Sequence, residues 1–188
     1  MLSSRSEAIK IAQEKLANKP LFLDTETTGL DNFSEIVEIC IVEHDGEILY
    51  ETLVKPTRQI PFDAVRIHGI SDPMVQNAPY WIQVWEDVKP ILNGRHVGIN
   101  NADFDLRMIR QSNAKFNLRG EFESAFFCIM KLYAQYYGSW NNARRSYQWF
   151  SLVAASQQCG IPISNTHRAK DDTLLARSIF LHMAQGDR

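Results

Sequence analysis

Apolar positions change their period several times along the chain, and each change marks an element. Ala8, Ile9, Ala12 and Leu16 recur at helical spacing, opened by Ser4-x-x-Glu7 in capping-box form and closed by Asn18-Lys19-Pro20. Apolar runs follow at residues 21–24, 36–42 and 48–54. The last two are joined through His44-Asp45-Gly46-Glu47, whose Asp-Gly pair favours a tight hairpin, so these runs predict an antiparallel three-stranded meander. Trp81, Trp85, Val88, Ile91 and Leu92 form a helical stripe, with Pro90 expected to distort its last turn. A fourth strand is expected at 96–100, followed by a helix bearing Phe104, Met108 and Ile109. Residues 122–130 read as a fifth strand merging into a helix, and 152–159 as a helix stopped by Gly160-Ile161-Pro162. A last helix carries Leu175, Ile179 and Met183. Strands first in a meander and then alternating with helices predict an α/β domain whose mixed sheet is flanked by helices.

With 188 residues, 45% of them hydrophobic, the chain suits one compact domain, here residues 20–188, preceded by an N-terminal helix over 1–19. No repeat, linker or low-complexity tract interrupts it. No apolar stretch reaches the ~18 residues of a membrane span, and the mixed, polar start lacks a secretory pattern, so a soluble, cytoplasmic protein with no membrane partner is expected. Cys40, Cys128 and Cys159 are odd in number, far apart and set among apolar residues, as reduced core thiols are. A formal net charge of −2 argues against gripping long duplex DNA through many phosphates. It leaves open an enzyme that holds a terminal nucleotide or two and lets metal ions supply local positive charge.

The candidate chemistry begins at the end of the first apolar run, in Leu21-Phe22-Leu23-Asp24-Thr25-Glu26-Thr27-Thr28-Gly29. On a strand, Asp24 and Glu26 point to one face. Two like charges side by side repel unless a cation lies between them, and oxygen-only ligands favour Mg²⁺ or Mn²⁺. Asp172 precedes Leu175, Ile179 and Met183 by three, seven and eleven residues, so it lies on the stripe that should face the sheet. A carboxylate there needs a partner, and a metal shared with Asp24 and Glu26 would keep it ionised. The bland alternative is a first-turn Asp that complements the helix dipole. Asp171 is the competing ligand, but the stripe selects Asp172.

Asp24-x-Glu26, then Asn101-Ala102-x-Phe104-Asp105, then His167 with four residues before Asp172, resemble in order the motifs of the DEDDh 3′-to-5′ exonucleases, the DnaQ-like family. The resemblance runs from about Pro20 to about Met183. It implies a ribonuclease-H-like fold with a mixed five-stranded sheet, and a metal set of Asp24, Glu26, Asp105 and Asp172 holding two Mg²⁺ or Mn²⁺ ions ~4 Å apart. It implies catalytic roles for Glu26 and for His167, the latter as general base on the loop entering the last helix, since an offset of five does not share a helix face with Asp172. Thr27, Thr28 and Gly29 would line the terminal sugar, while Leu30 and Phe104 would lie near its base. Core packing is an equal alternative for Phe104. His68, in Ile67-His68-Gly69-Ile70, resembles a segment near the nucleotide pocket, or is a turn-forming histidine. Asn100 and Lys170 depart from the common family pattern without replacing a ligand or the base.

The activity implied is hydrolysis of phosphodiester bonds at single-stranded 3′ ends of DNA or RNA, releasing nucleoside 5′-monophosphates. Residues 140–149 interleave Trp140, Arg144, Arg145, Tyr147 and Trp149 and could clamp single strands, or be a surface loop anchored by core aromatics. Only 16 residues follow Asp172, which favours a free-standing nuclease; association with a polymerase stays open, although no binding tail is visible. The alternative of another class is a non-catalytic nucleic-acid-binding or partner-binding module on the same fold, and the full motif set speaks against it.

Overall fold

The apolar runs become strands of one sheet. The computed structural model describes residues 3–118, 123–162 and 167–186. Its main strands are β1 (Leu21–Thr27), β2 (Ile36–Val42), β3 (Ile48–Leu53), β4 (His96–Ile99) and β5 (Ala125–Cys128), in the order β3-β2-β1-β4-β5. β1 to β3 are the antiparallel meander, and β4 and β5 run parallel to β1, so the sheet is mixed as the pattern predicts. The Asp-Gly hairpin closes through the Glu43 amide donating to the Glu47 carbonyl at 2.8 Å, with Gly46 at φ 105°. That conformation favours glycine.

The helices are α1 (Ser4–Ala17), α2 (Phe62–His68), α3 (Asp72–Val75), α4 (Trp81–Leu92), α5 (Ala102–Lys115), α6 (Ile129–Tyr137), α7 (Leu152–Gln158) and α8 (Ala169–Gln185). A two-stranded hairpin, β6 (Trp140–Asn141) with β7 (Ser146–Tyr147), stands apart from the main sheet. Alternation along β1 divides the core in two. Phe22 packs with Phe127 and Phe180 under α1, α6, α7 and α8, while Leu21 and Leu23 pack with Val97, Ile99, Trp85 and Met108 under α4 and α5. Ala8 and Ala12 of α1 are wholly buried in the first of these clusters, so the N-terminal helix shares the core of the residues that follow it.

Several expectations shift. The N-cap of α1 is Ser3, whose Oγ accepts from the Ser6 amide at 3.1 Å, so the Ser4–Glu7 capping box does not form. Pro90 sits inside α4, which ends two residues later, so the helix carries it in the last turn without stopping there. β4 ends at Ile99, one residue short, because Asn101 takes the left-handed conformation (φ 61°) that starts α5. Residue 122, placed in the fifth strand by the sequence pattern, lies outside the described residues; the strand itself is Ala125–Cys128. The pattern missed α2 and α3 altogether. They have seven and four residues, too short for a periodic signal, although Pro61 before α2 and Gly69 after it (φ 73°) are the usual marks of a helix start and stop.

Candidate active site

β1, β4 and β5 are parallel, so their carboxyl ends open on one edge, the place where open α/β sheets bind ligands. Asp24 and Glu26 lie at that end of β1, on the same face as Phe22. α8 covers this face, and its first turn brings in Asp172, while Leu175, Ile179 and Met183 are buried beneath the rest of the helix. One carboxylate oxygen from each of Asp24, Glu26 and Asp172 lies within 4.8 Å of the others, the one such acidic group among the described residues.

Asp105 reaches the same edge from α5 but does not join that group. It is buried, and its Oδ1 accepts from the Thr25 amide at 3.1 Å and the Thr25 hydroxyl at 2.7 Å. It still acts on Asp24, whose carboxyl is raised well above its ordinary value by burial and by Asp105, Glu26 and Asp172. Burial and the neighbouring Asp172 push Glu26 up to about 8. Burial raises Asp105 to about 7 against the opposing Thr25 hydrogen bonds, and raises Asp172 to about 6. Oδ1 of Asp172 is buried and has no hydrogen-bond partner. A set of crowded oxygen donors, whose ionisation burial and mutual repulsion oppose and which holds an orphaned buried oxygen, fits a hard divalent ion. Asp24, Glu26 and Asp172 are the residues able to hold one, with Asp105 beside them.

His167 lies directly before the N-cap Arg168, on the segment entering α8, and is exposed. Its φ of 50° is the left-handed region, unusual for a residue with a Cβ.

Next to the carboxylates is a cleft of about 410 Å³ that brings together Glu26, Thr27, Thr28, Gly29, Leu30, His68 and Phe104. Every residue that the sequence marked for the terminal nucleotide lines this one cavity, while residues 140–149 lie outside it. α2 and its N-cap complete the opposite wall with Pro61, Asp63, Ala64 and Ile67, of which only Ile67 falls in a segment the sequence had marked. The threonine hydroxyls are spent on the turn itself. Thr27 Oγ1 donates to the Gly29 carbonyl at 2.7 Å, and Thr28 Oγ1 accepts from the Glu35 amide at 2.9 Å. A Cβ on Gly29 would sit 2.9 Å from Ser34 Oγ and would displace the hydroxyl that is hydrogen-bonded to Asp31. Arg107, Gln111 and Lys115, successive turns of one face of α5, pin this loop by donating to the Leu30 carbonyl, the Ser34 carbonyl and the Glu35 carboxylate.

His68 is nearly inaccessible, and both ring nitrogens are committed. Nδ1 accepts from the Ile70 amide at 3.0 Å, which leaves Nε2–H to donate to the Thr27 carbonyl at 3.3 Å. With Nδ1 accepting, the imidazole is the neutral form, and burial lowers its pKa in the same sense. Phe104 both lines the cleft and packs on the α5 side of the core, with the Arg107 guanidinium 5.3 Å from its ring centre.

Sequence reasoning missed one charged residue at this edge. Glu38, opposite Glu26 across the β1–β2 ladder, is 2% exposed and grips Arg168 through Nε and Nη2, while its Oε2 accepts the Ala169 amide at 2.9 Å. The signal was present: a lone carboxylate inside Ile36-Val37-Glu38-Ile39-Cys40-Ile41-Val42, where every position is buried.

A family model described as Exonuclease, RNase_T, matches residues 21–180. An uncharacterized exonuclease, CP81, of Escherichia phage 186 is 38% identical over 181 residues, 93% of each chain. The DNA polymerase III epsilon subunit of Rickettsia felis is 27% identical, over 89% of this chain and 75% of that one. Among solved structures, Exonuclease X in complex with 5′ overhanging duplex DNA superposes with a TM-score of 0.65 at 28% identity, covering 88% of this chain and 90% of that one. The nuclease domain of 3′hExo, a DEDDh family member bound to rAMP, superposes at 0.73 with 18% identity, covering 89% and 92%, and so shares the ribonuclease-H-like fold. With the family model running from the first residue of β1 to Phe180 in α8, the chain belongs to the RNase_T exonuclease family.

Proposed function

We propose that the protein is a 3′-to-5′ exonuclease that hydrolyses the terminal phosphodiester of single-stranded DNA or RNA and releases nucleoside 5′-monophosphates. The observation that carries this is the meeting of the three-carboxylate group with a cleft of about 410 Å³, which share Glu26. Exposed Leu30 and Ile67 with Phe104 give the cleft apolar surfaces for a base, and Thr27 to Gly29 lie between those surfaces and Glu26, where the sugar would rest. Asp24, Glu26 and Asp172 would hold Mg²⁺ or Mn²⁺, with Asp105 beside Asp24 for a second ion. Bound there, such ions would polarise the phosphodiester, lower the pKa of water and stabilise the leaving oxygen. His167 takes the proton of the attacking water at an imidazole nitrogen, and its exposed place before α8 gives it access to solvent for releasing that proton. No covalent intermediate is formed. Among the described residues, no helix is long and apolar enough to cross a membrane.

The test is incubation of the pure protein with 5′-labelled and 3′-labelled DNA and RNA oligonucleotides in Mg²⁺, Mn²⁺ or EDTA. Expected are a ladder shortening from the 3′ end, mononucleotide released from the 3′ label, and no reaction in EDTA. His167→Ala should lower turnover by about 10²–10⁴-fold with metal affinity, read by calorimetry, little changed. Degradation from the 5′ end, or full activity of His167→Ala, would overturn the corresponding part.

A further inference from the structure

We infer that Glu38 and Arg168 are positioning residues: an ion pair between a buried carboxylate and a half-buried guanidinium that sets His167 against the carboxylate edge. This rests on the reading of His167 as the base. Glu38 is 2% exposed, as deeply buried as Asp105, and it is ion-paired with Arg168. Arg168 Nε lies 3.0 Å from both Glu38 oxygens, Nη2 also donates to Oε1, and the Ala169 amide donates to Oε2. The Glu38 carboxylate thus serves α8 as an N-terminal acceptor delivered from a different strand, because Arg168, the N-cap residue, has no side-chain oxygen to cap with.

Two consequences meet in His167 and Arg168. His167 is held at φ 50°, a conformation that persists where the surroundings over-determine it. Arg168 is fixed by a planar fork that a flexible ammonium does not reproduce. The Asp172 amide donates to the Arg168 carbonyl at 3.0 Å, an ordinary bond of the helix, so the helix itself holds Asp172 and the metal ligands do not depend on the pair. Glu38 and Glu26 are cross-strand partners, so the strand ladder sets the distance between the anchor and the carboxylate group. Arg168 also keeps Glu38 from acting as a further ligand, since both of its oxygens are engaged.

The pair is tested with Glu38→Gln and Arg168→Lys, which keep size and avoid stranding a buried charge, each made alone and in the His167→Ala background. Turnover on a 5′-labelled oligonucleotide, KM and Mn²⁺ affinity by calorimetry are measured on the full chain, with amide exchange of residues 168–172 in the metal-free protein. Misplacing a reacting group by about 1 Å costs on the order of 10²-fold, so each variant should lose about 10- to 100-fold in kcat with KM and Mn²⁺ affinity within about threefold. In the His167→Ala background the same changes should cost less than about threefold, because the group they aim is gone. Exchange at 168–172 should quicken in Glu38→Gln while the C-terminal half of α8 stays protected. Equal losses in both backgrounds, a loss carried by Mn²⁺ affinity, or unchanged exchange would overturn the inference. Failure of the base assignment shows separately, as full activity of His167→Ala alone.

Discussion

Each carboxyl at the edge is a compromise between what a cation needs and what burial permits. Without metal, Asp172 is raised from 3.8 to about 6, Asp105 from 3.8 to about 7 and Glu26 from 4.5 to about 8, burial being the first cause in each. The folded chain then holds protons that the unfolded chain has released. By linkage, the stability these groups contribute is full below their unfolded values near 4 and is lost as pH rises through about 8. The melting temperature of EDTA-treated protein should therefore fall between about pH 5 and about pH 8.5, and Mg²⁺ should flatten that fall, because the ion replaces the protons. A flat profile in EDTA would mean that the carboxyls are already ionised. Asp172→Ala should nearly abolish hydrolysis while raising the melting temperature of the metal-free protein at about pH 8, since it removes one crowded charge. Asp171→Ala, outside the three-carboxylate group, should be mild in the same activity assay.

At the level of elements, the edge depends on β4 lying close to β1. Gly98 pairs with Phe22, and a Cβ there would meet Phe127 at 2.7 Å and Phe22 at 3.2 Å, both rings packed under α8. Gly98→Ala should cost about 1–3 kcal/mol by overpacking, read by urea denaturation, with losses of activity only where the protein is partly unfolded. The β6–β7 hairpin follows α6, nine residues that begin at the edge where β5 ends. It bears exposed Trp140, Trp149, Arg144 and Arg145, with Trp140 edge-on to Tyr147, while Phe150 behind it packs on Tyr133 and Tyr137. Both readings of this segment thus have a part in it, an apolar anchor and a basic, aromatic face. Changing Arg144 and Arg145 together to Ala should weaken oligonucleotide binding and reduce its salt slope by about 0.7 per lost phosphate contact, leaving hydrolysis of single-nucleotide esters unchanged. Equal losses on both substrates would trace the effect to folding.

For the whole molecule, a net charge of −2 and a cleft of only about 410 Å³ predict few phosphate contacts. The logarithm of KM for a long oligonucleotide against the logarithm of salt concentration should have a slope no steeper than about 2, corresponding to about three phosphates at ~0.7 each. A slope several times larger would mean a basic track beyond the cleft and the hairpin.

Local rules alone determined much of this protein. Period-two and period-3.6 patterns found the meander, the strand at β4 and the long helices, because each buries one face and a buried face must be apolar at every repeat. The two-residue spacing of Asp24 and Glu26, the Asp172 stripe and the ordered motifs marked the carboxylates, since same-face charge is legible wherever the element is. Other features were decided only in three dimensions. Short α2 has too few turns to show a period, yet its packing supplies a wall of the cleft. Asp105 looked equivalent to its companions in the sequence, and only the fold turned its Oδ1 onto Thr25, outside the group of three. His68 became a neutral prop for the Thr27 carbonyl because both of its partners lie on backbone that the fold brought to it. Glu38 and Arg168 are 130 positions apart, and no local rule pairs residues at that separation. A sequence records which faces must be buried and which charges need partners, but the choice of partner depends on distances that exist only once the sheet and α8 have closed on one another.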